Sequence, residues 1–562
     1  MKERPVVINR APSLHKLSLI GLNAKLSNSH AIKINPSIVS TLAADFDGNC
    51  VDFDSEISLK ISKSVLDKMD KGCRLYQTLK KEFDMSTTKE TRIEIQKQET
   101  EGYAYATIKI GDFPRFGTPV KDRNGADVYK VPEGFQVEAC DPVTGERGFY
   151  DIEALTVEDN SDTVKVTAGH HSVIVSSNES LAAFDTASGK LIKVAPKDIN
   201  GRLVPVLKKD LTPFGTVGNR DYGWLIGGLI SDGWVCKNVV GYAKLEDAKR
   251  DEIERIFREI NPNFLLKEYR EEPEEGKNKL GESAKIHLYS PELADFVRSL
   301  GILDEDGDRS KKTACSKQIN RQMLVNGSEE FLWGLLSGLI DGDGSVIMNT
   351  TMKKPRFGIR YATSSPSLRD SFCALLYKLG IRYSITTTPP RNWSNEAYTI
   401  CPSTIDMYKN LDKLTCIGSR EKELIQKWKE AAPEYEDRND QVPVSDEEWE
   451  ALKTVCNNQS SGIGKGIYSA CMKRKINRSA MRSSLLQYSA FLKIAAPTLL
   501  KRAEEENTLW FPAEVVEDTG KRQVFDLMVK DAKVFAVNNG LVVWDTVNIH
   551  VPVSKKAVQD VR

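Results

Sequence analysis

Histidine is scarce in this chain, six in 562 residues, and the ten cysteines are scattered without one Cys-x-x-Cys pair. That spacing excludes a zinc ribbon and a small disulfide scaffold, and it fits a reducing compartment. No apolar run approaches the ~20 residues of a membrane span. The N-terminus shows no signal-peptide pattern, so a cytoplasmic protein with no membrane partner is expected, in a bacterial or phage-infected cell. Net charge is absent as well: 79 Lys+Arg balance 79 Asp+Glu, so any nucleic-acid contact must use a local patch. What is present is length, enough for three or four domains at roughly 100–200 residues each. A composition of 40% apolar and 28% charged residues suits packed globular domains.

The two ends read as one interrupted segment. Arg4-Pro-Val-Val-Ile-Asn-Arg-Ala-Pro-Ser-Leu-His15 is followed by Ala43-Ala-Asp45-Phe-Asp47-Gly-Asn49. These residues resemble the beta-prime-type subunit of multi-subunit RNA polymerase. In that family an Asn-Ala-Asp-Phe-Asp-Gly-Asp loop holds the catalytic Mg²⁺ and runs on into Thr-x-x-x-His-Val-Pro-x-Ser. Here the continuation stands at the far end, as Thr546-Val-Asn-Ile-His550-Val-Pro552-Val-Ser554. Carboxylates two apart in a Gly-containing loop suit a hard cation that wants oxygen ligands. The resemblance implies that Asp45 and Asp47 bind Mg²⁺ once the host is assembled with other RNA polymerase subunits. Position 49 is Asn where the family has its third Asp. The host-like residues, 1–49 and 546–562, number 66 and are too few for a polymerase active centre.

Residues 50–545 open with Cys50-Val-Asp-Phe-Asp-Ser-Glu-Ile57. A cysteine thiolate can attack the preceding carbonyl, that of Asn49, to give a thioester; a lone Cys also fits a buried structural thiol. Next comes Val166-Thr167-Ala-Gly-His170-His171-Ser-Val-Ile-Val175. A His beside such an apolar strand can donate a proton to a departing amide nitrogen. His170 stands three residues after Thr167, as in the Thr-x-x-His pattern of the inteins that this block resembles, whereas His171 is in register with Val173 and Val175; both are candidates, and the resemblance favours His170. Last come Val524-Phe-Asp526-Leu-Met-Val529 and Phe535-Ala-Val-Asn-Asn539-Gly540-Leu-Val-Val-Trp544-Asp545, a strand, Asn-Gly, strand rhythm that predicts a hairpin with a tight positive-φ turn.

In this order the blocks resemble those of inteins. The resemblance implies an all-β Hint (Hedgehog/intein) splicing domain without a cofactor, in which Cys50, Thr167, His170, His171, Asp526, Asp545 and Thr546 are catalytic. Cys50 attacks, the acyl group passes to Thr546, and release occurs at Asp545. The chain departs from the family at Lys533, where a His is common, at Trp544, where the penultimate His is usual, and at Asp545, where a terminal Asn cyclises. An Asp can release only through a cyclic anhydride, so slow C-terminal cleavage is expected.

Inside the interruption, Asp221-Tyr-Gly-Trp-Leu225-Ile-Gly-Gly-Leu-Ile-Ser-Asp232-Gly233 and Phe331-Leu-Trp-Gly-Leu-Leu336-Ser-Gly-Leu-Ile-Asp341-Gly-Asp343-Gly344 repeat one pattern. Each is a helix-length apolar run ending in Asp-Gly. A Gly inside a helix costs about 1 kcal/mol relative to Ala, so Gly227, Gly228, Gly334 and Gly338 are expected to let two backbones approach closely. Both copies resemble the LAGLIDADG motif of homing endonucleases. If the helices pack in parallel, Asp232 and Asp343 emerge side by side as a carboxylate pair for Mg²⁺, suited to in-line phosphodiester displacement. The bland alternative is two Asp residues that merely end buried helices.

A second repeat, Ser290-Pro-Glu-Leu through Leu-Gly-Ile302 and Ser365-Pro-Ser-Leu through Leu-Gly-Ile381, gives each half a helix, strands and a Ser-Pro-started helix. A monomeric, fused two-fold protein would read a long double-stranded DNA site in the intein-free host gene, with strands such as 286–289 and 357–363 in the major groove. Lys317, in a segment resembling the family's Lys-x-Ile, is a candidate to polarise the scissile phosphate or its water; Lys353 or Lys354 is its guess in the second half. An ordinary surface lysine is the alternative for each.

The expected organisation is multidomain: host segment 1–49; splicing domain 50–205 with an insertion at 60–130; an α+β LAGLIDADG endonuclease at 206–435 with pseudo-two-fold αββαββα repeats; a small helical region at 444–507; the rest of the splicing domain at 508–545; host segment 546–562. Gly462-Ile-Gly-Lys-Gly466 lacks Walker spacing. The cluster Lys473-Arg474-Lys475 with Arg478 and Arg482 could grip DNA phosphates or form a solvated helix face. The function expected is an intein precursor that carries a site-specific endonuclease. The alternatives are a polymerase fragment with an inert insertion and a decayed nuclease that only binds DNA.

Overall fold

The computed structural model describes residues 4–9, 19–24, 57–58, 87–100, 102–121, 127–140, 147–177, 181–243, 246–271, 283–302, 315–351, 355–390, 396–433, 435, 437, 439–457, 479–530, 534–544 and 550–551. Asp45, Asp47, Cys50, Lys353, Lys354, Lys533, Asp545, Thr546 and the 473–478 basic cluster lie outside the described residues.

Two strands of 22 residues, β1 (Arg147–Ala168) and β2 (Thr508–Val529), form the spine of a fourteen-stranded sheet. They run antiparallel from Ile152 opposite Val529 to Ala168 opposite Ala513, with four register shifts along the way. Such shifts bend a long ladder and let it wrap a core. The alternation in Val164-Lys-Val166-Thr-Ala168 and Val173-Ile-Val175 places Val166, Ala168, Val173 and Val175 in that core. The closing hairpin, Val534–Val537 with Leu541–Trp544, pairs into the same sheet. Its loop is Asn538-Asn539-Gly540, all at positive φ (47°, 64°, 104°). The positive-φ expectation holds, but with one residue more than a two-residue turn, because Val537 pairs with Leu541.

Residues 87–130, expected to be an insertion, contribute strands to this sheet. The hairpin of Arg92–Glu99 and Gly102–Lys109 pairs with Phe135–Cys140, and Ile93, Ile95, Ile108 and Ile110 join the core of Val137 and Leu155. The period-2 signal, Ile93-Glu-Ile95, was hidden in a charged run.

The inserted body holds two four-stranded sheets. One has the order 233–236, 239–242, 283–289, 265–271, and the other 344–349, 356–363, 397–402, 383–388. Between them pack α1 (Arg220–Asp232) and α2 (Glu329–Gly342). Asn219 caps α1 by accepting from Tyr222 N–H, and Ser328 caps α2 by accepting from Phe331 N–H. Ser290 and Ser365 likewise cap the helix Pro291–Ser299 and α3 (Pro366–Lys378), each with Pro in the first turn.

The helix crossing is made by glycine. A Cβ on Gly223 would sit 2.0 Å from Phe331 O, on Gly227 2.4 Å from Leu335 O, on Gly334 2.1 Å from Arg220 O and on Gly338 2.0 Å from Trp224 O. Contact numbers rise together along both helices, so they are parallel. Gly228 is a correction: its Cβ would meet only the Tyr242 ring at 3.5 Å, an ordinary contact off the crossing. Gly223 takes the place assigned to it, one turn before Gly227.

Residues 446–457, 482–487, 489–495 and 497–504 are helices around their own apolar cluster. Arg482 does not offer its charge to DNA. It is 4% exposed, pairs with Asp440 at 2.9 Å and donates to the carbonyls of Arg502, Ala503, Glu505 and Thr508. A guanidinium with five donors closes several helix-end and strand-start carbonyls at once.

Candidate functional sites

The first site lies at the turn between β1 and its hairpin partner His171–Ser176. Gly169 takes φ +61° there, and a Cβ on it would strike the Phe511 ring at 2.9 Å, so the turn is tied to β2. Thr167 pairs with Ser172 and, across to β2, with Glu514. Its hydroxyl points toward Glu514 O at 3.5 Å, spanning 347 residues of sequence. Asp526 is buried opposite Thr156.

Both histidines line one cavity of about 210 Å³ together with Asn538 and Asn539 of the closing turn. Burial lowers the pKa of His170, and burial followed by the neighbouring His170 pushes His171 down to about 4. Desolvation disfavours the charged ring, so both imidazoles are neutral at physiological pH. Nδ1 of His171 is buried with no hydrogen-bond partner. The far wall of the cavity is not the fourteen-stranded sheet but Arg321, Arg369, Tyr383 and Ile385 of the inserted body. Sequence reasoning missed these residues, because no local motif marks a contact across such separations.

At the ends of the interruption, His550 pairs with Ser58 and Val551 with Ile57. The chain just after the closing block therefore lies beside the chain just after the opening block.

The second site lies at the C-terminal ends of α1 and α2. Asp232 is the last residue of α1, and Asp343 caps α2. Oδ2 of Asp232 lies 3.5 Å from where a Cβ on Gly342 would sit, which brings it against the residue preceding Asp343. Both carboxylates act on the buried Tyr361 hydroxyl, whose pKa is raised first by desolvation, then by Asp343 and, more weakly, Asp232. Lys317 Nζ donates to Ser231 O, one residue before Asp232. Lys249 Nζ donates to Asp341 O, two before Asp343, at 2.5 Å. Lys249 was not singled out from the sequence, since nothing about a lysine at the start of the 247–260 helix marks it.

Asp341 is a structural acid. It is 6% exposed and accepts from Trp224 Nε1 (2.7 Å), Ile417 N–H (2.6 Å) and Gly418 N–H (3.1 Å). Burial raises its pKa, and these donors and Lys249 oppose the rise. The first copy has Ile230 at the corresponding place, a difference visible in the sequence that should have separated Asp341 from Asp343. Among the described residues no group of three or more His, Cys, Asp or Glu gathers as a metal cage. Two carboxylates at adjoining helix ends nevertheless fit a hard divalent cation that keeps several of its waters.

Residues 1–63 match the family described as RNA polymerase Rpb1, domain 2, and residues 330–427 match the LAGLIDADG-like domain family. Among curated relatives the chain is 23% identical over 391 residues to a DNA-directed RNA polymerase subunit Rpo1C of Methanocaldococcus jannaschii, covering 66% of this chain and 40% of that one. It thus spans about two fifths of that subunit's length. Of solved structures, an intein from a hyperthermophile overlaps 22% of this chain and 72% of its own at 15% identity, TM-score 0.20. I-DmoI in complex with DNA and Ca overlaps 37% of this chain and 96% of its own at 13% identity, TM-score 0.25.

The chain carries an RNA polymerase segment and a LAGLIDADG-type body, set apart by a sheet built from two distant stretches. Residues 1–63 are thus similar to part of an RNA polymerase large subunit and residues 330–427 to a LAGLIDADG-like domain.

Proposed function

We propose that the chain is a splicing precursor that excises residues 50–545 and joins Asn49 to Thr546. The observation that carries this reading is the clasp of β1 and β2, together with the pairing of 57–58 with 550–551. It brings stretches some 350–490 residues apart to one sheet and one junction. The Cys50 sulfur attacks the Asn49 carbonyl carbon; the C–N bond breaks and the proton ends on the Cys50 amine. That proton is the one lost by the Cys50 thiol; a neutral histidine of the 170–171 turn assists by donating its N–H as a hydrogen bond to the departing nitrogen, keeping its own proton. The Thr546 hydroxyl then takes the acyl group, and Asp545 releases it slowly. Intact-mass analysis of the purified chain beside Cys50→Ala tests this. A new species of joined host segments from the parent alone is expected; identical, unprocessed masses from both would refute it.

The inserted body is a double-strand DNA endonuclease with its two halves in pseudo-two-fold αββαββα repeat. Support comes from the like strand order of its two sheets and the parallel glycine crossing. Asp232 and Asp343 would hold a divalent cation, Mg²⁺ being the expected one, which when bound supplies charge for phosphodiester displacement. Around it Lys317 and Lys249 brace the helix ends through main-chain carbonyls. The outward residues Lys285, His287 and Tyr289 of one sheet, and Arg356 and Arg360 of the other, would meet the major groove of the uninterrupted host gene. Cleavage of that site, lost in Asp343→Asn, is the expected result; cleavage retained in the variant would sink the assignment.

A further inference from the structure

The inserted body does not hang from the splicing sheet; it is keyed into it. Tyr377 of α3 is buried in a cluster with Leu207, Val534, Val542 and Trp544. The next residue, Lys378, is also buried and donates to Thr212 O (2.8 Å), Pro213 O (3.0 Å) and Asp210 (3.3 Å) in the connection that leaves the sheet. This anchoring presents the strand Tyr383–Thr388 to the histidine turn. Ile385 N–H donates to His170 Nδ1 at 3.4 Å, and the Tyr383 ring lies 5.6 Å from the His171 ring, centroid to centroid. The Tyr383 hydroxyl is hydrogen-bonded with the side chain of Asn539, while Asn538 Nδ2 donates to Ser172 O at 2.9 Å.

We propose that Tyr383 and the Ile385 N–H are positioning residues of the splicing centre: the Ile385 N–H holds the exposed His170 in one tautomer and the Tyr383 ring covers the half-buried His171, so splicing chemistry requires the inserted body to be seated. This rests on the splicing reading above. A donor on Nδ1 of neutral His170 leaves the ring proton on Nε2, which fixes the nitrogen that can donate a hydrogen bond to the junction. Tyr383 covers His171 from water. The charged groups facing the cavity are mixed: Glu90 and Arg92 from the sheet, and Arg321, Arg369 and Asp370 from the inserted body, with the Cys373 thiol pushed up to about 12 by burial and so neutral. With three guanidinium groups against two carboxylates, no strong field favours the imidazolium, and desolvation sets the shift.

The test is histidine-selective NMR titration of the full chain, with thiol-induced N-terminal cleavage followed across pH in the same variants. Tyr383→Ala is expected to raise the His171 midpoint from about 4 toward 6.5, and to slow cleavage at least tenfold while moving its pH profile upward. Tyr383→Phe, which keeps the ring, is expected to restore the His171 midpoint. Ile385→Pro removes the N–H on an edge strand that tolerates proline, and is expected to raise the His170 midpoint; it decides the matter if the alanine variant does not fold. Unmoved midpoints and an unmoved cleavage profile would overturn the proposal. Midpoints that shift in a chain whose parent never cleaves with thiol would overturn the splicing reading instead.

Discussion

Glu94 offers a direct measure of how the splicing sheet holds the inserted body. It is 5% exposed, with one carboxyl oxygen buried and unpartnered. Burial, then Asp210 and Glu138, raise its pKa from 4.5 to about 8, while Arg321 and Lys378 pull weakly the other way. Below pH 4.5 the folded and unfolded chains both hold this proton and nothing is lost. Between 4.5 and 8 only the folded chain holds it, so stability falls as pH rises, by up to ~1.4 kcal/mol per unit. Above 8 the full penalty is present, on the order of 4–5 kcal/mol. Glu94→Gln keeps the shape and cannot ionise, so its stability should lack this slope. The assay is denaturant unfolding by fluorescence from pH 5 to 9, with hydrogen exchange of peptides from α3 reporting undocking. The variant is expected to gain on the parent steadily, reaching several kcal/mol by pH 9. A difference constant to within 1 kcal/mol across that range would refute the burial argument.

Other outcomes follow from the same geometry. Gly338→Ala must part the α1 and α2 backbones and is expected to cost roughly 3 kcal/mol or more, whereas Gly228→Ala, with room at the Tyr242 ring, should be neutral or gain up to ~1 kcal/mol; thermal melts of the two compare them directly. Asp341→Asn strips charge from a carboxylate that accepts three hydrogen bonds, so a loss of ~2–3 kcal/mol is expected. Asp343→Asn should leave the melting temperature within a degree or two. Arg482→Ala leaves several buried carbonyls unpaired and should destabilise by ~3 kcal/mol or more, without changing the salt slope of DNA binding; a reduced slope would return Arg482 to the DNA surface.

Much of this architecture was written in short-range pattern, and the rest depended on distance. The Ser-Pro helix starts, the alternation through Val173 and Val175, and the glycines of α1 and α2 each state a local constraint, so they could be read from neighbours in sequence. Even there the reading erred by one face: Gly227 and Gly228 are adjacent letters but point 100° apart on a helix, and only the one facing α2 is needed at the crossing. The Arg92–Glu99 strand failed to register because the residues alternating with Ile93 and Ile95 are charged or amide, two of them, Glu94 and Gln96, buried all the same. Asp341 was overlooked for the opposite reason: it sits inside a recognised motif whose other acid drew the attention.

What no motif could carry is the meeting of His170 with Ile385 and of His171 with Tyr383, residues more than 200 apart. That meeting constrains the relation between the two parts of the interruption. An endonuclease tethered only at its ends could be lost or replaced without disturbing the sheet. One whose α3 buries Tyr377 beside Trp544 and whose Lys378 closes the Asp210 corner cannot. Removing it would expose that apolar cluster and strip the buried Asp210 of its Lys378 partner. Trp544, the residue standing where the family's penultimate histidine usually is, is packed into the same cluster. Its indole donates to no partner, so it supplies bulk where an imidazole would supply a hydrogen-bond donor.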